Sequence, residues 1–153
     1  VNTYTQEGLA VLSEYLSGNL TLKRLRVLAL RVICIDMMVK KSDFKTIFNY
    51  ITNEYNVDRE DAFIIITRVF RGGGFTKDYL YLKGFAHFYK LWNSGYDLTP
   101  LLIGKTSIKN YNTIVEMMER KLIKRPEFIS EALLNPNTQK NGTILEYIVN
   151  GLI

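Results

Sequence analysis

Apolar residues recur along this chain at the three- and four-residue spacing of helices, and caps and glycines interrupt the runs at short intervals. Leu9, Leu12 and Leu16 form the first stripe; Thr5 is placed to cap its start and Gly18-Asn19 to end it. Thr21 opens a longer helix to about residue 40, with Leu25, Leu28, Val32 and Ile35 in register. Ser42 is expected to cap a third, residues 43 to about 55, on Phe44, Ile47, Phe48 and Ile51. Asp58 caps a fourth, from Arg59 to about Arg71. Its Phe63-Ile64-Ile65-Ile66 has the propensity of a strand, but the cap and the helical neighbours argue for helix.

Gly72-Gly73-Gly74 stops that helix, and Thr76 is placed to cap the next, from Lys77 to about Asn93. Apolar residues cover most of its girth, which predicts a central position. Thr99-Pro100 reads as a cap and first-turn pair for a short helix ending at Gly104. Ser107 starts another through Ile108, Tyr111, Val115, Met118 and Leu122. Pro126 opens one that Asn135-Pro136 ends, and residues 143–150 form the last. The pattern predicts an all-α chain: one compact domain of about eight helices over residues 1–153.

Composition narrows the chemistry. The 153 residues include one His and one Cys. That excludes a disulfide framework and a zinc finger, and leaves too few ligands for a three-histidine site. The most apolar stretch, residues 27–39, is interrupted by Arg31 and Asp36, so no membrane span is predicted. The lone Cys and the absence of a signal peptide predict a cytoplasmic protein. The net charge of +5 includes basic groups at residues 23–26, 40–41 and 121–125. These suit solvated helix faces and helix C-termini, or an acidic partner.

Two places stand out. Glu7 is expected in the first turn of its helix, where the dipole favours a carboxylate. Gly8 follows it directly, and a helical glycine is explained by close approach of a backbone or ligand. The second place runs from Arg68 to Asp78: three glycines between Arg71 and Lys77, the composition of an anion site or of a plain helix-ending turn. It has neither P-loop nor dinucleotide spacing. His87, in an aromatic run, and Cys34 read as packing residues.

Gln6-Glu7-Gly8-Leu9-Ala10 resembles the motif of the QEGLA-motif family, whose bacterial members are called flavohemoglobin expression-modulating proteins. That family is related to the microtubule-associated tyrosine carboxypeptidase. Phe75-Thr76-Lys77-Asp78-Tyr79-Leu80-Tyr81-Leu82-Lys83-Gly84 is similar to the same family's F-[ST]-K-D-x-x-Y-L-x-G segment. The resemblance implies the C-terminal part of a gluzincin-like zinc metallopeptidase, a carboxypeptidase acting on a peptide or protein C-terminus. It implies that Glu7 is a zinc ligand beside two histidines of an H-E-x-x-x-H helix, whose glutamate is the general base.

That histidine motif does not occur in these residues. The expectation is therefore a fragment without catalytic residues, inactive and zinc-free alone, whose first partner is the missing N-terminal part of the same protein. Arg71, Lys77 and Tyr81 are the candidates for binding the substrate's carboxylate. The alternative is a non-catalytic helical binding module with a basic surface for nucleic acid or an acidic protein, although nucleic acid is not the expected partner. A regulatory role, suggested by the bacterial name, is the third possibility.

Overall fold

The computed structural model describes residues 3–71 and 77–152 and, among these, has helices and connecting loops but no strand. Eight α-helices occur among the described residues: α1 Thr3–Leu16, α2 Leu22–Val39, α3 Phe44–Glu54, α4 Arg59–Phe70, α5 Lys77–Asn93, α6 Tyr111–Glu119, α7 Glu131–Leu134 and α8 Thr143–Asn150. Three 3-10 turns, Thr99–Ile103, Ile108–Asn110 and Thr138–Asn141, join the later ones. The all-α expectation holds, and so does the helical reading of Phe63-Ile64-Ile65-Ile66.

The chain divides into two compact units. One comprises the residues up to Thr21 together with those from Lys83 onward; the other is Leu22–Leu82. The boundary falls within α5.

The second unit packs α2, α3 and α4 on one another. Its core is Leu30, Cys34 and Ile35 of α2, Ile47 and Ile51 of α3, Val57, and Ala62, Ile65, Ile66 and Val69 of α4. Half of the apolar tetrapeptide in α4 faces outward: Phe63 and Ile64 are exposed while Ile65 and Ile66 are buried. That split is the helical period acting on a run that a strand would have divided alternately. Burial pushes the Cys34 thiol up to about 12, which leaves it a small inert hydrophobe.

In the other unit, Leu9, Val11, Leu12, Tyr15 and Leu16 of α1 are buried, as are Phe85, Phe88 and Tyr89 of α5. Tyr15 sits edge-on to Tyr89 at 5.2 Å between centroids. The Tyr89 hydroxyl donates to Asn150 Oδ1 of α8 at 2.7 Å. Asn141 donates to the Tyr15 carbonyl at 2.8 Å, tying the C-terminal segment to α1.

Several boundaries differ from the sequence reading. Thr5 is no cap: it lies inside α1, is 1% exposed, and its Oγ1 accepts the Ile108 N–H at 3.0 Å. Asp43 rather than Ser42 caps α3, accepting from Thr46 N–H at 2.7 Å. Thr99 is itself capped by Asp97, whose Oδ1 accepts from the Thr99 N–H at 2.9 Å and its hydroxyl at 2.7 Å. Pro126 opens no helix; only Glu131–Leu134 forms a turn of one. Phe128, the large apolar residue after Pro126, is 89% exposed and packs on nothing that would hold a helix there. The cap proposed at Thr76 and the glycines 72–74 lie outside the described residues.

Candidate functional site

Gln6-Glu7-Gly8-Leu9-Ala10 occupies the second and third turns of α1. Gln6 donates through Nε2 to the Gly104 carbonyl at 3.2 Å. Leu9 is buried and Ala10 exposed. Glu7 is half-buried and stands beyond the first turn, because α1 already runs from Thr3. The expected place in the first turn is therefore not met.

Gly8 has the close neighbour its presence predicted. A Cβ built on it would lie 2.6 Å from Phe88 Cδ2 and 2.8 Å from the Gly84 carbonyl carbon. A Cβ on Gly84 would lie 2.8 Å from Gly8 Cα and 3.0 Å from the Tyr4 carbonyl oxygen. Helices α1 and α5 thus cross backbone to backbone, each with a glycine at the crossing. Gly84 closes the Phe75–Gly84 motif, so the two segments that carried the family resemblance touch through their glycines.

His87, one turn further along α5, holds the same crossing. Its Nδ1 is 2.8 Å from the Tyr4 hydroxyl, which also reaches the Lys83 carbonyl at 3.4 Å. The imidazole stacks on Phe88 at 5.3 Å. Burial pulls His87 below its ordinary value and favours the neutral ring. Tyr4 lies one turn before Glu7 and Gly8, so this bond steadies the start of the motif helix.

The substrate-site candidates fall in the second unit, whereas Glu7 belongs to the first. Lys77 and Tyr81 come together one turn apart on α5, with the ammonium 6.0 Å from the ring centre. Arg71 is exposed at the C-cap of α4, its N–H donating to the Thr67 carbonyl at 2.9 Å. Residues 72–76 lie between it and that pair.

One cluster escaped the sequence reading. Asp78, in the first turn of α5, is 2% exposed. Arg68 Nε donates to its Oδ1 at 3.1 Å and its Oδ2 at 3.4 Å, while Arg31 Nη1 lies 3.5 Å from the same Oδ1. The signal was available: Arg31 interrupts the most apolar stretch of α2, where a charge needs a partner.

Among the described residues, no three His, Cys, Asp or Glu side chains stand together as a metal site. The residues present do not fit a closed zinc centre by themselves, because Glu7 offers a single carboxylate. Two cavities border the elements involved. One of about 360 Å³ lies beside the motif helix, against Gln6, Leu9, Ala10 and Ser13. The other, of about 490 Å³ in the second unit, has Val27, Leu30, Val57 and Ile65 in its wall and the Lys23–Asp61 ion pair at its edge. No helix of the described residues is long and apolar enough to cross a membrane.

No curated protein and no solved structure matches the chain. The sequence model of one family, the microtubule-associated tyrosine carboxypeptidase, matches residues 1–151. That match covers both glycine-bearing motifs and nearly all the sequence between and beyond them, and the chain belongs to the microtubule-associated tyrosine carboxypeptidase family.

Proposed function

We propose that this chain is the part of a zinc-dependent carboxypeptidase that supplies one metal ligand, Glu7, and a group for the substrate's terminal carboxylate. The reading rests on the family match over residues 1–151, and Gly84, the last residue of the second motif, packs on Gly8 of the first. Gln6, Gly8 and Leu9 are engaged in holding α1 in its unit, and Glu7 is the motif's carboxylate. A catalytic zinc takes three protein ligands and keeps one position for water or substrate. On this reading the two histidine ligands and the general base belong to an H-E-x-x-x-H helix that these 153 residues, with one histidine, do not contain.

Lys77, Tyr81 and Arg71 are assigned to the carboxylate of a peptide or protein C-terminus. An exopeptidase needs such an anchor, since it fixes which bond reaches the reacting centre. Zinc, when bound, supplies an activated water.

Part of the basic surface is paired within the chain. Arg26 donates to the Tyr55 carbonyl, Lys23 pairs with Asp61, Lys40 with Asp36 and Arg120 with Glu116, all within the chain.

The test is metal analysis of the protein expressed from its whole reading frame. Wild type should hold about one zinc per chain, and Glu7→Gln should weaken it at least about tenfold with the fold intact. Full zinc retention by Glu7→Gln overturns the ligand assignment, as does a reading frame with no H-E-x-x-x-H ahead of this segment. Arg71→Ala should raise KM or lower kcat/KM for release of a C-terminal residue. Unchanged kinetics would remove Arg71 from the anchor.

A further inference from the structure

The Arg31–Asp78–Arg68 cluster is unbalanced. Two guanidiniums converge on one carboxylate oxygen, Asp78 Oδ1, at 3.5 and 3.1 Å. The Asp78 side chain is 3% exposed and that of Arg31 13%, so water supplies little of the missing countercharge there. Arg31 Nε is buried and has no acceptor among the described residues. Burial, then the charge of Arg68, pull Arg31 below its ordinary value, and Asp78 offsets this only in part. A buried cation keeps its charge at a cost unless an anion and hydrogen bonds compensate it. Here one negative charge answers two positive ones, with Arg24 adding a further repulsion on Arg31.

Arg68 differs from its neighbours in being 45% exposed while Nε is committed to Asp78. The side chain is thus partly open to solvent, and a guanidinium fork matches an oxyanion in two parallel hydrogen bonds. Asp78 orients that fork and offsets its charge only in part, being shared with Arg31. The first turn of α5 adds a modest preference for negative charge.

We propose that Arg31 and Arg68, held by Asp78, form a binding site for a small oxyanion, a carboxylate or a phosphate. This goes beyond the peptidase reading, since binding requires neither metal nor bond cleavage.

The experiment is thermal unfolding of the full chain at constant ionic strength. The titrants are inorganic phosphate, a short peptide with a free C-terminus, and the same peptide amidated. Phosphate or the free-acid peptide should raise Tm saturably and the amide should not. If only phosphate acts, the ligand is a phosphate; if the free acid acts, a carboxylate is accepted. Arg68→Gln, at a half-exposed position, should abolish the response. Asp78→Asn should lower the starting Tm but tighten anion binding by about tenfold, because it removes the competing internal charge. An ion pair with a purely structural role would give no such gain. No saturable response in wild type overturns the proposal, as does an equal response in Arg68→Gln. Weaker binding by a folded Asp78→Asn also overturns it; if that variant does not fold, Arg68→Gln decides.

Discussion

At Gly8 a single hydrogen in place of a methyl group lets two helices approach. An added Cβ meets the Gly84 backbone at 2.8 Å as well as the Phe88 ring at 2.6 Å, and backbone yields less readily than a side chain. Overpacking of this kind costs about 1–3 kcal/mol, against about 1 kcal/mol returned by the better helix propensity of alanine. Gly8→Ala should therefore lower stability by up to about 2 kcal/mol, a fall in Tm of up to about 8 °C at this chain length. Urea unfolding of the variant checks it, and a Tm at or above wild type would contradict the crossing. The presence of a close neighbour at Gly8 was legible in the sequence, because a helical glycine asks for a reason. Which neighbour it was could not be read, since nothing local links residue 8 to residue 84.

At the scale of elements, caps and stops carried most of the information. Asp58 accepts from the N–H groups of Glu60 at 2.9 Å and Asp61 at 3.5 Å and opens α4 where its sequence said it would. Asp58→Ala should cost about 1 kcal/mol; an unchanged denaturation midpoint would show that α4 is held by its core face alone. Other caps were misplaced for reasons only packing supplies. Ser42 and Asp43 are adjacent and chemically equivalent as caps, and the register of Ile47 and Ile51 against the core selects Asp43. Thr5 reads as a cap because a threonine precedes the apolar stripe, but its hydroxyl accepts from the Ile108 N–H, over a hundred residues away. The Arg31–Asp78–Arg68 cluster was missed similarly. Each charge was visible, yet the partners lie on three helices, α2, α4 and α5, and the pairing is tertiary.

For the molecule as a whole, His87 makes stability depend on pH. Its value is lowered in the fold by burial from an ordinary 6.5, and its neutral ring lies 2.8 Å from the Tyr4 hydroxyl. The unfolded chain then binds the proton more readily than the folded one. The contribution is complete above 6.5 and is lost as pH falls through 6.5 towards the lower folded value. Tm should decline between about pH 7 and pH 5, and His87→Gln should flatten that part of the curve. An identical slope in the variant would assign the decline to carboxylates. His87 read from sequence as a packing residue, and stacking on Phe88 agrees; its bond to Tyr4 adds a polar task that no spacing announced.

The glycine crossing has a bearing on relatives of this chain. Residues 8 and 84 share one gap, so a methyl group on either side consumes the room of both. Natural variants should keep the two glycines together or lose them together with a compensating trim at position 88. A lineage that enlarges one alone should be scarce among functional descendants, which makes the pair a covariation marker for aligning distant members.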